Sequence, residues 1–359
     1  MFDFSPYIQV IIPVAFLMSF IFSFITIPSI VKISKKHNLL VYPNHRDSHN
    51  GGVPRLGGLA IFISVVFSLI FFSGINTLVY FRSILTAVIV LFFIGLQDDL
   101  DSMGAWKKLT WEAMASLLVI FGGQMYFSNL YGFLGIQQLG YIPAVIISVV
   151  TFVSIINAFN LVDGIDGLAS GLCIQISVIF GIHFFIEGAY KFTILAAIVT
   201  GAVLAFFYFN VWSKKYKLFM GDSGSLVLGL LIGLMVWRFC ELNLQPNLIF
   251  RVYAAPAVAM GILAVPLFDT LRVLILRISK KKSPFLADRS HIHHILLDLG
   301  MSHSGVRASL LSFNLAMTLL AYALQTVIHS VILIILILLA TCLVSLYLVR
   351  KRLPMAEKN

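Results

Sequence analysis

Amides and carboxylates are concentrated among glycines in one short stretch of the sequence, residues 157–169. It contains Asn157, Asn160, Asp163 and Asp166, and it separates two long apolar runs. Glycine lets the backbone bend sharply and approach a ligand closely, and polar groups at a membrane boundary are costly unless they serve a function. We therefore consider this stretch a candidate binding loop. The alternative is a glycine-rich turn in which Asp163 or Asp166 caps a helix.

Three acids, Asp98, Asp99 and Asp101, end another apolar run, and Lys107 and Lys108 follow them. Acids at the C-terminus of a helix are opposed by the helix dipole. Adjacent carboxylates also repel each other unless a cation or a hydrogen-bond donor is near. A divalent metal ion or one of the lysines would satisfy them. The alternative is a helix end exposed to solvent.

A third stretch, residues 221–225, reads Gly-Asp-Ser-Gly-Ser and begins a further apolar run. The free N–H groups at the start of a helix bind phosphate, and Asp222 offers the hard oxygen ligands that Mg²⁺ prefers. A plain helix cap at Asp222 or Ser223 explains the same pattern, so this segment alone supports both interpretations.

Basic residues and histidines share the longest polar segment, which runs from residue 277 to residue 294. His291 and His294 are three residues apart and would share one helix face. A zinc site would need more ligands than the segment offers, whereas binding of the anionic groups of a substrate suits the surrounding bases, including Arg289. For the lysines at 280–282, contact with anionic lipid headgroups is the alternative.

Composition places all four stretches in a polytopic membrane protein. Of the 359 residues, 60% are hydrophobic and 11% are charged, whereas soluble proteins carry about 25% charged residues. The mean hydropathy is +0.98. The net charge of +10 fits basic loops beside anionic lipid rather than nucleic-acid binding. Three widely spaced cysteines in or beside apolar runs indicate neither a disulfide framework nor a metal site.

The apolar runs predict an all-α protein with about eleven transmembrane helices, because a helix crosses the hydrocarbon in about 20 residues. Ten spans are the alternative, if the last long run crosses once. The first run carries Asp3 and lacks a basic start and a small-residue cleavage site, so we interpret it as a retained span. We expect one integral membrane domain, residues 1–350, and a basic cytoplasmic tail, residues 351–359. The predicted spans are 7–30, 56–73, 77–96, 109–127, 141–158, 168–187, 191–209, 224–241, 253–271, 307–327 and 328–349.

Basic residues are abundant only in alternate connections, for example at Lys35, Lys107, Lys214 and Lys281. The positive-inside rule assigns these connections to the cytoplasm. The amino terminus then lies outside and, with eleven spans, the basic tail lies inside. All four polar stretches fall on the cytoplasmic side, so we expect an active site built there from loops and helix ends.

Acids for a metal, helix starts for phosphate and bases for further phosphate favour phosphoryl transfer, in which catalysis is mostly positioning and charge neutralisation. A membrane-embedded site further implies a lipid acceptor. The main alternative from another class is a transporter, in which intramembrane acids mark ion paths. A transporter would be expected to show inverted repeats and a site at the midplane, and the sequence indicates neither.

The four stretches together resemble the polyprenyl-phosphate N-acetylhexosamine-1-phosphate transferases. The segments that carry the resemblance are Asp98-Asp99, residues 160–169, residues 219–225 and residues 283–294, and they extend over nearly the whole chain. The sequence His-Ile-His-His at 291–294 is similar to the branch that uses UDP-N-acetylglucosamine (UDP-GlcNAc). The branch that uses UDP-N-acetylmuramoyl-pentapeptide typically has three consecutive histidines.

The resemblance implies transfer of GlcNAc-1-phosphate from UDP-GlcNAc to undecaprenyl phosphate, with release of UMP. It places this reaction in a bacterial inner membrane, as the first membrane step of a surface polysaccharide. Another UDP-N-acetylhexosamine is the alternative donor. The resemblance also implies Mg²⁺ as cofactor, with Mn²⁺ as a substitute. Membrane lipids are expected around the chain, and because relatives can be dimeric, a homodimer is one open assembly.

Carried over by motif, Asp222 would bind Mg²⁺ on the diphosphate, and Asp98, with Asp99 beside it, would be the catalytic acid or base on the acceptor side. A phosphate monoester has its second pKa at about 6, so the acceptor needs little deprotonation. We therefore expect direct attack, with Asp98 positioning the acceptor, rather than a covalent aspartyl intermediate. The implied catalytic residues are Asp98, Asp99 and Asp163. The implied substrate-binding residues are Lys107 or Lys108, Asn160, Asp166, Asn210, Arg289, His291, His293 and His294.

Overall fold

The computed structural model describes residues 7–41, 52–72, 78–281, 283 and 290–356. Helices account for most of these residues, and the all-α prediction is confirmed. The long helices coincide with the apolar runs, because a helix satisfies its backbone hydrogen bonds within its own segment where water is absent. Two short strands, β1 (Leu40–Val41) and β2 (Val53–Pro54), pair antiparallel. The helices are α1 (Ile8–Lys36), α2 (Gly57–Phe72), α3 (Leu78–Leu100), α4 (Ala105–Gly123), α5 (Tyr141–Val162), α6 (Leu168–Ile186), α7 (Tyr190–Val211), α8 (Asp222–Leu242), α9 (Ala255–Ile262), α10 (Ala264–Ser279), α11 (Ile292–Asp298), α12 (His303–Leu324) and α13 (Ser330–Ala356).

Eight of the described helices are long and apolar enough to cross a membrane: α1, α3, α5, α6, α7, α8, α12 and α13. Helices α9 and α10 are bent by 84° at the break between them, and the pair raises the number of candidate spans to nine if it crosses as one broken span rather than forming a re-entrant loop. The multi-pass prediction is therefore confirmed, and each of the eleven predicted spans coincides with helix. Two of those helices are less typical of a span, because α2 has only 16 residues and α4 carries Lys107, Lys108 and Glu112 in its first half.

The chain divides into two compact units. One unit comprises Met1–Tyr126 and Val145–Arg238, and the other comprises Phe127–Ala144 and Phe239–Asn359. In the first unit, α1 and α6 both pack against α7. Gly201 on α7 permits the close approach of α1, because a Cβ atom at this position would lie 2.3 Å from the carbonyl oxygen of Phe16.

Helix α8 is the most enclosed span among the described helices: 89% of its apolar segment is buried, compared with 22% for α1. Helix α5 packs closely on it, since a Cβ atom at Gly229 would lie 2.6 Å from the Cα atom of Ile156. The helix is apolar over most of its length, and its polar first residues, which include Asp222, are therefore held at one end of a tightly packed element.

Backbone hydrogen bonds fix the segment that leads into α8. The Phe219 N–H donates to the Pro54 carbonyl of β2 at 2.8 Å. The N–H groups of Gly57 and Gly58, at the start of α2, donate to the carbonyls of Phe219 and Met220 at 2.8 and 2.7 Å. The start of α8 is thereby held in place by β2 and α2 before any side chain contributes.

In the second unit, the break between α9 and α10 leaves backbone groups without partners inside a helix. Asn314 on α12 satisfies them, because its Oδ1 accepts from the Val265 N–H at 3.0 Å and its Nδ2 donates to the Ile262 carbonyl at 2.9 Å. Asn314 is fully buried. A broken membrane helix is tolerated where neighbouring side chains bond the freed groups, so α10, which carries Asp269, begins at a defined place.

Candidate active site

Side chains from four helices of the first unit meet at the ammonium group of Lys108. Its Nζ lies 3.1 Å from Asp98 Oδ2 and 3.3 Å from Asn160 Oδ1, and it also contacts Asp222 Oδ2. Asp98 is near the end of α3, Asn160 is near the end of α5, and Asp222 begins α8, whereas Lys108 is in the first turn of α4. The structure thus brings together four predicted site residues that are far apart in the sequence. We refer to these four residues as the Lys108 cluster.

Lys107, the other lysine that the sequence offered for this place, does not take part. It is exposed and makes no hydrogen bond or ion pair within the described ranges. Consecutive residues of a helix are about 100° apart around its axis, so only one of the two lysines can face the cluster.

Asp99 has a different environment from its neighbour Asp98. Its carboxylate accepts hydrogen bonds from the Asp222 N–H at 2.8 Å, the Ser223 N–H at 3.0 Å and the Ser223 hydroxyl at 2.8 Å. The side chain is 1% exposed. Asp99 therefore caps the start of α8 from another helix. The N–H groups that we considered for phosphate are used by this carboxylate, and neither Asp222 nor Ser223 caps the helix with its own side chain.

The backbone at Gly221, just before α8, lies in close contact with the Asp99 carboxylate. Gly221 has φ +74°, and a Cβ atom at this position would lie 2.5 Å from Asp99 Oδ2 and 2.5 Å from the Arg55 carbonyl oxygen. The Arg55 Nε lies 3.8 Å from Asp99 Oδ1. Glycine is required here both by the left-handed conformation and by the available space.

Asp163 and Asp166 lie in the turn between α5 and α6. Burial, together with the nearby Asp222 carboxylate, raises the pKa of Asp163 to about 7. The Asp163 carboxylate makes no hydrogen bond or ion pair with the residues that the structure describes, so it is available to a ligand or a cation. Asp166, in contrast, pairs with Lys217 at 2.6 Å.

Asn210, predicted to bind substrate, is buried and holds two loops together. Its Oδ1 accepts from the Gly167 N–H at 2.6 Å and its Nδ2 donates to the Leu218 carbonyl at 2.9 Å. One loop carries Asp163 and Asp166, and the other leads to Asp222. In this structure Asn210 orders the loops around the cluster.

We expect Asn210→Ala to lower the apparent melting temperature of the purified protein. The change leaves the Gly167 N–H and the Leu218 carbonyl buried without partners, at a cost of about 1–3 kcal/mol in the free energy of unfolding. Asn247→Ala, at an exposed position, is the control and should leave the melting temperature unchanged. Weaker UDP-sugar binding by Asn210→Ala at an unchanged melting temperature would instead support direct contact with substrate.

The predicted histidines lie in the second unit, at the start of α11. His291 is 6% exposed, and the ring of His293 stacks on it with a centroid distance of 5.7 Å. Burial, with His294 nearby, lowers the pKa of His293 to about 3, so this ring is neutral near pH 7. Neither of its nitrogens has a hydrogen-bond partner in the described part of the chain. That the histidines share a site with the Lys108 cluster stays a prediction, and Arg289 lies outside the described residues.

Sequence reasoning missed two buried acids, Glu112 and Asp269. Glu112, on α4 one turn after Lys108, is 0% exposed and accepts a hydrogen bond from Asn157 Nδ2, whereas its Oε1 has no partner among the described residues. Asp269, on α10, is 1% exposed and bonds His291. Both acids fall inside predicted spans. An ionisable residue within a span is itself a functional signal, and that signal identifies both.

The oxygen ligands of the cluster suit a magnesium ion that arrives with a diphosphate. Mg²⁺ usually binds through one or two carboxylates together with substrate phosphates and waters. Asp222 offers carboxylate oxygens, and the Asp163 carboxylate, which is near enough to Asp222 to interact electrostatically with it, has no hydrogen bond or ion pair among the described residues. Over the described ranges, no three His, Cys, Asp or Glu side chains are arranged to hold a metal by themselves. The donor set therefore fits a cation whose remaining ligands come from the substrate.

Comparisons with known proteins identify the family of this chain. The sequence profile of glycosyl transferase family 4 matches residues 81–239. An undecaprenyl-phosphate alpha-N-acetylglucosaminyl 1-phosphate transferase of Escherichia coli (strain K12) is 30% identical over 295 residues, which cover 81% of this chain and 77% of that protein. The chain belongs to glycosyl transferase family 4.

Two further relatives are similar over most of the chain. A probable undecaprenyl-phosphate N-acetylglucosaminyl 1-phosphate transferase of Bacillus subtilis (strain 168) is 32% identical over 293 residues, which cover 81% of this chain and 79% of that protein. A decaprenyl-phosphate N-acetylglucosaminephosphotransferase of Mycolicibacterium smegmatis is 31% identical over 287 residues, which cover 74% and 70%. The family resemblance and the transferase class predicted from the motifs are confirmed. The segment that matches the family 4 profile contains the Lys108 cluster and Asn210, and it ends before the histidines.

Proposed function

We propose that this family 4 member transfers GlcNAc-1-phosphate from UDP-GlcNAc to undecaprenyl phosphate and releases UMP. The observation that carries the proposal is the Lys108 cluster, in which Asp98, Asn160 and Asp222, from three other helices, surround one ammonium group. Two relatives whose names give this transfer are 30% and 32% identical to the chain, which supports the substrates.

In the proposed reaction an oxygen of the lipid phosphate attacks the phosphorus that carries the sugar. The bond between that phosphorus and the bridging oxygen breaks, and the oxygen leaves as part of UMP. Such a transfer depends on alignment and charge neutralisation more than on covalent help from the protein. Because the second pKa of a phosphate monoester is about 6, little proton remains to be removed. Asp98 therefore serves chiefly to hold Lys108 and to orient the acceptor.

Lys108 and a metal ion held by Asp222 and Asp163 would together neutralise the negative charge of the diphosphate. Lys108 donates to phosphate oxygens once the substrate displaces part of its contact with the carboxylates. Asp222, with Asp163 beside it, would hold Mg²⁺ or Mn²⁺, which when bound supplies charge neutralisation at the diphosphate. Asp163 suits this part, because its carboxylate has no partner within the described residues and a nearby cation favours the ionised form of an acid.

We place the site at the cytoplasmic face of a bacterial inner membrane, with the amino terminus outside and the carboxyl end inside. The support is the charge pattern: the connections that carry the cluster belong to the alternate set of connections that together hold most of the lysines and arginines, which the positive-inside rule assigns to the cytoplasm. The product would be the first lipid-linked intermediate of a surface polysaccharide of the O-antigen, common-antigen or teichoic-acid type. A homodimer is one open assembly under this proposal.

The test is UMP release by the purified protein in lipid nanodiscs. We expect release from UDP-GlcNAc only when undecaprenyl phosphate and Mg²⁺ are both present, and a loss of about 100-fold or more in Asp222→Asn. A panel that includes UDP-GalNAc, UDP-QuiNAc and UDP-FucNAc identifies the preferred sugar. No UMP from any of these donors would overturn the proposal, and uptake of a nucleotide sugar into proteoliposomes would then support a transporter.

A further inference from the structure

One buried carboxylate of the second unit, Asp269, gathers three hydrogen bonds at the start of α11. Its Oδ1 accepts from the Ile292 N–H at 2.9 Å and from the Arg272 guanidinium at 2.8 Å. Its Oδ2 lies 2.9 Å from His291 Nδ1. Arg272 also donates to the carbonyl oxygen of Ser290, so the segment just before α11 is bonded to α10 on both sides of His291.

These contacts determine which nitrogen of His291 carries the proton. A carboxylate that faces a guanidinium and a backbone N–H is stabilised in its ionised form, and an ionised carboxylate only accepts hydrogen bonds. The His291 Nδ1 must therefore be the donor in its contact with Asp269. In the neutral ring, Nε2 then keeps its lone pair, and it has no hydrogen-bond partner in the part of the chain that the structure describes.

We propose that Asp269 is a positioning residue that holds His291 in the Nδ1–H form, so that Nε2 accepts a hydrogen bond from a hydroxyl or N–H group of the nucleotide sugar. The identity of that ligand rests on the proposed function, whereas the tautomer does not. Arg272 balances the charge of Asp269, so the pair orients the ring without adding a net charge beside it. The ring of His293 stacks on that of His291, parallel within 9° at a centroid distance of 5.7 Å.

One substitution of Asp269 changes only one of its three hydrogen bonds, the one to His291. In Asp269→Asn the retained Oδ1 still accepts from Ile292 and Arg272, and the new Nδ2 replaces the oxygen that faces His291. An amide NH₂ donates, so His291 Nδ1 must become the acceptor and the proton must move to Nε2. We expect the fold to be kept and the tautomer to be reversed.

The experiment measures imidazole ¹⁵N chemical shifts of ¹⁵N-histidine-labelled protein in nanodiscs, with His291 assigned by loss of its signals in His291→Gln. We expect a protonated Nδ1 and a lone-pair Nε2 in the unmodified chain, and the reverse in Asp269→Asn. The KM for UDP-GlcNAc in Asp269→Asn should rise by about tenfold, the effect of roughly one lost hydrogen bond, while the KM for undecaprenyl phosphate stays the same. Asp298→Asn, at an exposed position of α11, is the matched control and should change neither.

A protonated Nε2 in the unmodified chain would overturn the proposal, and so would an unchanged tautomer in Asp269→Asn. Should Asp269→Asn fail to fold, the tautomer of the unmodified chain still decides. A reversed tautomer with an unchanged KM would show that Asp269 sets the proton of His291 but that Nε2 bonds no group of the nucleotide sugar, which would overturn the role in substrate binding. An Nδ1–H tautomer in a chain that turns over no UDP-sugar would leave the assignment of the proton standing while the proposed function fails.

Discussion

Lys108→Met should lower kcat by about 10²–10³-fold, the effect of removing one preorganised electrostatic partner from a dry active site. The ammonium group is the only cation within hydrogen-bond distance of both Asp98 and Asp222 among the described residues. Without it, two carboxylates face each other and the incoming diphosphate, so repulsion opposes both the ground state and the transition state. The measurement is initial rates of UMP release at saturating concentrations of both substrates.

Lys107→Met is the matched control, because it removes the same charge one residue away. Lys107 is exposed and makes no hydrogen bond or ion pair with the cluster, so its substitution removes no transition-state interaction and we expect kcat within about twofold of the unmodified chain. The apparent melting temperature of both variants must be compared with the unmodified chain. Equal losses of activity in the two variants, or a larger loss in Lys107→Met, would contradict the assignment of Lys108.

The second large effect separates two adjacent acids. Asp98→Asn removes a charge that contacts Lys108, and we expect a loss in kcat of about 100-fold or more with little change in melting temperature. Asp99→Asn places an NH₂ group against the N–H groups that start α8. We expect it to lower the free energy of unfolding by about 1–2 kcal/mol, the value of a lost helix cap, and to reduce activity because Asp222 moves with the helix.

Thermal unfolding and single-turnover rates on the same preparations distinguish the two roles. Asp101→Asn, at an exposed position after α3, is the control for removing an acid from this segment. If Asp99→Asn melts like the unmodified chain and yet loses all turnover, Asp99 is catalytic, as the sequence predicts by resemblance, and the capping role is secondary.

Periodicity and motifs predict which segments are helical and which polar residues share a site, but not the direction in which each side chain points. Apolar runs and the ends of those runs were enough to predict the helices and to indicate that Asp98, Asn160 and Asp222 belong to one site. They did not distinguish Lys107 from Lys108, or Asp98 from Asp99. Neighbours in a helix point in directions about 100° apart, and the choice depends on how α3 and α4 rotate when they pack against α8.

Other features depend on contacts that no local pattern reports. The bend between α9 and α10 lies inside a run that predicts a single span, and it is stabilised by Asn314, some 50 residues later in the chain. The position of Asp269 inside a predicted span marks it as a candidate, but its role cannot be read from the sequence, because its partners Ile292 and His291 lie in another element. Such pairings require the tertiary fold, whereas the polar residues themselves were visible from the start.

The cap that Asp99 supplies to α8 has a consequence for how this protein tolerates change. Asp222 is the first residue of α8, but its side chain does not cap the helix. Asp99 of α3 caps it instead, because its carboxylate accepts from the N–H groups of Asp222 and Ser223. Two consecutive residues of α3 therefore have different roles. Asp98 contacts Lys108, and Asp99 holds the start of α8, and with it Asp222, on the other side of the lysine. Insertion or deletion of a single residue in α3 would turn both acids away together, so the helical register of α3 is under tighter constraint than the chemistry of either side chain alone.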